Sequence, residues 1–436
     1  MTILRLVRRG LRIVLRLLVW AVGLTLMLFL QQYSTLPTGT TWTAIALLAR
    51  ENQFDYVGWE IQALATKAGQ TLFGQHPFMT EADRTQTVRA YMTDLARARA
   101  LEGEIGRVFV DPNVEDPAAA SAALRAERDT LRADLAARQA LVEAILEGQV
   151  AAVLVEAGFG TLGQLLPPIS MHFTQVPNLL IASPRDEIRF DVSINLDPMP
   201  VEEIEALEQA VFAQHDMAAL VVPLGGIALY PAMILETTSI QFAADVFAHE
   251  WLHHYLFAFP LGLNYDFAGE TRVINETTAN LFGQEVARLV VARYYPDLLP
   301  PAPPPPDPDA PPPPPPDPNA FGFGEAMHET RVTVDALLAE GRVEEAERYM
   351  EERRELFVQN GYQIRKLNQA YFAFYGGYQS GAPGAGGEDP IGPAVQFIRD
   401  QSPSLHDWIV TMRTVITRDD LLALRDQMGW QERVGS

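Results

Sequence analysis

Residues 247–257 read FAHEWLHHYLF. His249 and His253 stand four apart, Glu250 follows the first, and His254 follows the second. On a helix, positions i and i+4 share a face about one turn apart, so two imidazole nitrogens there can reach a single ion. Glu250, one residue round from His249, is placed to take a proton from a water held by that ion. This is the chemistry of metal-assisted hydrolysis. The competing reading is a buried, aromatic-rich helix with a chance cluster of histidines. That reading is costly, because two histidines and a glutamate among Phe, Ala, Val, Trp and Leu would be buried without a metal or partners. His254 points off the His249–His253 face, since adjacent helical residues diverge by about 100°. It reads as structural, or as hydrogen-bonded to a carboxylate.

A catalytic zinc takes three protein ligands and keeps a fourth position open. The chain has no cysteine, which excludes disulfides, thiolate sites and a cysteine nucleophile, so the ligands must be His, Asp or Glu. A third histidine in the spacing H-E-x-x-H-x-x-G-x-x-H is ruled out, because Leu256 and Phe259 occupy the Gly and His positions. Downstream, VINETTANLFGQEVARLV places Glu276 in the first turn of a predicted helix, 23 residues after His253. Asn280, four residues on, shares its face and could accept the ring N–H of a ligating histidine. Glu270 and the weaker Asp266 are the rivals. Glu276 is preferred because its place at the opening of a helix sets it on one face with Asn280.

HEWLH followed by NETTAN resembles the gluzincin metallopeptidases, the thermolysin-like and aminopeptidase-like zinc enzymes. The resemblance covers about residues 240–290. It implies one Zn2+ per chain held by His249, His253 and Glu276, with Glu250 as general base and then acid. Asn280 stands where many members carry Asp, which keeps an acceptor but removes a charge. Peptide hydrolysis also calls for an edge strand that pairs with the substrate backbone. GGIALYPAMIL, just before the active helix, is the candidate, with Gly225 and Gly226 as substrate-binding residues; an ordinary core strand is the equal alternative. An oxyanion donor is expected from later in the chain. LNQAYFAFYGGYQ offers Tyr371, Tyr375 and Tyr378, and Tyr378, following the Gly376–Gly377 pair, is preferred. Endopeptidase and aminopeptidase both stay open. No GxMEN-like strand is present, and Glu236 is the possible amine-binding carboxylate.

The elements that must position these residues follow from the rest of the chain. Its 436 residues, 48% of them hydrophobic, suffice for two or three domains. The net charge of −22 argues against nucleic acid as a partner. Arg5, Arg8, Arg9, Arg12 and Arg16 precede the uncharged run LLVWAVGLTLMLFL, and no small-x-small cleavage site follows. A cleaved signal peptide would look similar up to residue 30, but the missing cleavage site favours an uncleaved signal anchor over residues 1–34, and basic before, neutral after sets its orientation. The N-terminus would then be cytoplasmic, the lipid bilayer a partner, and the catalytic part extracytoplasmic.

Residues 35–157 read as a helical region containing an antiparallel hairpin of Glu81–Val108 and Ala118–Ala157. The seam of the second helix runs through Leu124, Leu131, Leu135, Val142 and Ile145, with Arg138 where an apolar residue is wanted. Residues 158–299 form the zincin-like core. It comprises a strand at 186–196, a helix at 200–214, two strands around a Gly225–Gly226 turn, the active helix at 239–258 and a second helix at 275–295. Residues 300–320 hold 14 of the 32 prolines and read as an extended polyproline linker. Residues 321–436 read as helices, the last two following a Gly-rich loop, that close one side of the cleft.

The expected fold class is α+β and mainly helical. It has an N-terminal transmembrane helix, a helical hairpin, a small mixed sheet and a helical C-terminal part. The expected function is a membrane-anchored zinc peptidase acting on a peptide or protein substrate. The alternative is a non-catalytic envelope scaffold that binds partners through the hairpin and the proline segment, with a structural or degenerate metal site.

Overall fold

The computed structural model describes residues 2–32, 39–111, 113–265, 269–299, 321–377 and 384–430, and within the first helix the side chains of Gly10 and 13–27. The chain divides into two compact units, Met1–Arg50 and Glu51–Ser436.

The first unit holds α1 (Thr2–Gln32) and α2 (Thr41–Leu48), the latter capped by Thr40, whose hydroxyl accepts from the Thr43 N–H. The described apolar side chains of α1, Ile13 to Met27, are all exposed. Among the described residues no helix is long and apolar enough to cross a membrane, so the expected transmembrane helix is not found among them. Most of the arginine-rich tip and residues 28–34 fall outside the described side chains.

The second unit is mainly helical with small sheets. It opens with α3 (Tyr56–Phe73), α4 (Glu81–Val110), the short α5 (Pro117–Ala120) and α6 (Ala122–Leu154). The expected hairpin is α4 against α6. Its antiparallel register is marked by Arg132 on Glu102 and by Arg138 on Asp94 at 2.7 Å. Arg138 explains the flaw in the seam: where an apolar residue was wanted, a charge reaches across to the partner helix instead. Leu135, Val142 and Ile145 are buried as the pattern required.

Next come β1 (Gly160–Thr161), β2 (Gln164–Leu165), β3 (Met171–Thr174), β4 (Asn178–Pro184), β5 (Val192–Leu196), α7 (Val201–His215), β6 (Met217–Pro223), β7 (Gly226–Ile227) and β8 (Ala232–Leu235). The expected strand at 186–196 is confined to β5. Residues before it turn back from β4, an apolar run the alternation pattern did not single out. Sequence also suggested two strands flanking a Gly225–Gly226 turn. Instead, β6 pairs with β4 in the antiparallel sheet β5-β4-β6. Gly226 opens β7, an outer strand of a second sheet ordered β3-β8-β7, in which β8 runs parallel to β3 and antiparallel to β7.

The helices α8 (Ile240–Leu256), the short α9 (Pro260–Leu263) and α10 (Gly269–Tyr294) follow. Ser239 caps α8, accepting from the Phe242 N–H at 3.1 Å. The second helix starts six residues earlier than expected, so Glu276 lies past its first turn and Glu270 within it. The C-terminal helices are α11 (Phe323–Ala339), α12 (Val343–Gln359), α13 (Gln369–Tyr375), α14 (Ile391–Gln401), α15 (Leu405–Met412) and α16 (Arg418–Gln427). Three helices, not two, follow the Gly-rich loop. One core joins α4, α6, α8, α10 and α14 to α16 through Leu95, Ile145, Phe247, Trp251, Phe282 and Trp408. The polyproline segment 300–320 lies outside the described residues.

One outer edge of the β3-β8-β7 sheet is closed by side chains. The Phe173 N–H donates to Glu143 Oε1 at 2.7 Å and the Met171 N–H to Glu147 Oε1 at 2.6 Å. One helical turn on α6 nearly matches two residues of strand, so carboxylates at i and i+4 meet N–H groups at j and j+2. Lys67 of α3 joins both, at 2.7 Å from Glu143 and 2.9 Å from Glu147. Burial disfavours every charge in this cluster. Pairing overcomes it at Lys67, held above its usual range, and at Glu143, held below, while burial still lifts Glu147. Lys67→Met leaves two buried carboxylates facing one another, and is expected to lower the unfolding free energy by about 3 kcal/mol. Urea denaturation of the two proteins measures this.

Candidate functional site

α8 is apolar on nearly every side and is buried between the sheet and α10, with Phe247, Trp251 and Leu252 fully covered. The Trp251 indole N–H donates to the Pro167 carbonyl at 2.9 Å. α8 and α10 approach closely because α10 carries Gly283 at the contact. A Cβ there would collide with Asp245 Oδ1 and stand 3.3 Å from His249 Cβ.

This packing aims three side chains at one point. His249 Nε2 and His253 Nε2 are 3.0 Å apart, their rings at 77°. Glu276 Oε2 lies 3.5 Å from the first nitrogen and 3.7 Å from the second. It is buried and has no hydrogen-bond partner. The other oxygen, Oε1, accepts a bond from the Tyr265 hydroxyl. Glu250 completes a group with the two histidines in which the donor atoms lie within 4.8 Å of one another.

The donors fit a zinc ion. Tetrahedral coordination with bonds of roughly 2.0–2.1 Å sets donors about 3.3–3.4 Å apart. The three separations here, 3.0, 3.5 and 3.7 Å, bracket that value. Two imidazole nitrogens facing each other cannot both present lone pairs without a proton or a cation between them. An unpartnered buried carboxylate oxygen beside them adds a further negative centre. His249, His253 and Glu276 are therefore the residues that could hold the ion.

Electrostatics show the same excess of negative charge. Burial works against a charged His249, but the Glu276 carboxylate 3.5 Å away and the charges of Glu250 and Asp245 prevail, lifting its pKa to about 9. Glu276 is held well below its usual range by the two histidines, despite burial. Burial raises Glu250, against the pull of both histidines. Burial also lifts Asp245 to about 6.

A cavity of about 660 Å³ opens over these residues. Gly226, Ile227 and Ala228 line it, and so do Tyr230, Phe257 and Leu263. Gly226 passes so close above α8 that a Cβ would collide with Glu250 Oε1 and stand 2.9 Å from Val246 Cγ1. His254 Nε2 lies 2.8 Å from the Leu229 carbonyl oxygen, tying the β7–β8 turn to α8. Of the two expected roles this is the structural one, since the partner is a backbone carbonyl and not a carboxylate.

Several expected residues are elsewhere. Asn280 makes no hydrogen bond to either histidine and does not line the cavity, because the helical turn from Glu276 to Asn280 carries it past the site. Gly225 flanks β7 outside the cavity wall, its carbonyl accepting from the Leu235 N–H at 2.8 Å. Glu236 is held away by Arg132 at 2.9 Å and by Arg99. Glu270, in the first turn of α10, stays apart from the histidines. Tyr371 and Tyr375 pack ring against ring at 4.4 Å in the core between α13 and the β5-β4-β6 sheet. Tyr378 and Asp266 lie outside the described residues. The described cavity lining runs only from Leu179 to Glu276. Among the described residues the C-terminal helices back the site and do not line the cavity: the Leu261 N–H donates to Arg413 O, and Thr271 to Ile416 O.

Sequence reading missed Tyr265 and Arg272. Tyr265 sits edge-on to His253, with ring centroids 5.9 Å apart. Arg272 lies over the Tyr265 ring at 4.9 Å and the Phe190 ring at 3.9 Å. Arg272 precedes Glu276 by four residues, a spacing that would have found it had the helix start been placed at Gly269. Tyr265 lies in a turn, where no periodicity points to it.

A metal ion held here would compete with the proton for the same imidazoles. With His249 lifted to about 9, apparent zinc affinity is expected to rise about tenfold per pH unit from about pH 7 towards 9 and then to level off. Chelator competition across that range measures it. Zinc should also raise the melting temperature of the full chain, and a chelator should reverse the gain.

Comparison with protein families, curated proteins and solved structures finds no match for this chain.

Proposed function

We propose that this protein is a zinc-dependent peptidase. The observation that carries the reading is the convergence of His249 Nε2, His253 Nε2 and the unpartnered Oε2 of Glu276 at the floor of a cavity, with Glu250 beside them. When bound, zinc supplies Lewis-acid polarisation of a carbonyl oxygen and lowers the pKa of water.

The chain's own residues supply the rest. Glu250 is buried to 5% exposure and sits under the outer strand, where its raised pKa suits it to take a proton and pass it on to a leaving amine. β7 pairs with β8 on one side and lines the cavity with Gly226, Ile227 and Ala228. An extended peptide laid along it would bring its carbonyl over the floor of the cavity. The opposite edge of that sheet is taken by Glu143 and Glu147, which leaves β7 as the edge for substrate. Tyr230, Phe257 and Leu263 give the substrate's side chains apolar walls.

In the same reading, α1 holds the catalytic unit at a lipid bilayer, N-terminus in the cytoplasm. The uncharged, exposed side chains from Leu17 to Met27 support this, together with the arginines before them.

The deciding experiment uses the full chain and a mixed peptide library. Glu250→Gln is expected to bind zinc as the wild type does and to lose hydrolysis by at least about 100-fold. His249→Gln and Glu276→Gln are expected to lose both. A zinc-loaded wild type that leaves every peptide intact sinks the peptidase reading. Equal zinc content in Glu276→Gln and the wild type removes Glu276 from the site.

A further inference from the structure

We infer that Tyr265 is the positioning residue that makes Glu276 a one-oxygen ligand. The inference rests on the metal reading above. The two carboxylate oxygens of Glu276 have different surroundings. Oε1 accepts the phenolic hydrogen of Tyr265, whereas Oε2 has no partner and faces both imidazole nitrogens at 3.5 and 3.7 Å. A carboxylate without the tyrosine could turn about its last bond and offer either oxygen, or both, to an ion. With Oε1 engaged, rotation costs a charge-assisted hydrogen bond in a buried site.

The tyrosine is itself held. Its ring stands at 81° to that of His253, and the Arg272 guanidinium covers its face at 4.9 Å. Arg272 is in turn seated on Phe190 at 3.9 Å. A ring fixed by one ligating histidine and bonded to the ligating carboxylate sets the two relative to each other. Partners of this kind typically change metal affinity 10–100-fold when removed.

The test adds Zn2+, then Co2+, to the full-length wild type and to Tyr265→Phe, which removes one oxygen and keeps the ring. In the wild type, two nitrogens, one carboxylate oxygen and one water should give the intense visible absorption of four-coordinate Co2+. Tyr265→Phe should bind Zn2+ at least about tenfold more weakly by chelator competition. Its Co2+ band should weaken, as the freed carboxylate chelates through both oxygens. Equal affinity and equal spectra in the two proteins overturn the inference. If Tyr265→Phe fails to fold, the wild-type spectrum still decides: a weak, five-coordinate band overturns one-oxygen ligation. A wild type that binds no metal overturns the underlying metal reading and is recognised before any variant is made.

Discussion

The close contact of α8 with α10 is the constraint on which the rest of the site depends. Two histidines one turn apart on α8 and one glutamate on α10 form a cluster only if the helix axes approach closely. Gly283 permits this, because any side chain there would strike Asp245. The approach has an electrostatic cost, since it buries two carboxylates and two imidazoles within a few ångströms. Part of that cost is met by a proton on His249, whose pKa is lifted to about 9, and part by the ionised Glu276 that faces it. One carboxylate oxygen, Oε2 of Glu276, remains without a hydrogen-bond partner.

The β3-β8-β7 sheet obeys a complementary constraint. A small sheet has two edges, and unpaired backbone groups at either would be a liability. On the β3 side the problem is solved by the glutamates of α6, supported by Lys67 from α3. On the β7 side the edge is left at the cavity, tethered through His254 and Leu229 and held to the surface of α8 by the absence of a side chain at Gly226. Helix α6 with Lys67 of α3, far from the chemistry in sequence, therefore closes the β3 edge and leaves the β7 edge at the cavity.

Much of this was legible before any coordinates. The spacing of His249, Glu250 and His253 needs only the helical repeat, and the apolar run around them made α8 plain. The hairpin followed from heptad-like spacing, and even its flaw at Arg138 was visible, though not its resolution by Asp94. Boundaries and pairings were less legible. The start of α10 was misplaced by six residues, because GETRVI carries no capping residue before it and reads equally as loop. The pairing of β6 with β4 was hidden because strand partners such as Asn178 and Pro223, far apart in sequence, leave no local trace.

The sequence by itself determined the donor types and the local spacing that lets two of them share a helix face. Both are properties of residue identity and the 3.6-residue repeat. Tertiary structure alone decided which carboxylate joins them, since Glu270 and Glu276 lie on one helix and only the packing of α10 on α8 selects between them. It also decided that Tyr265 engages Oε1 of Glu276 and that Asn280 contributes nothing to the site. Such choices depend on distances between segments that touch only in the folded chain, and a linear pattern carries no record of them.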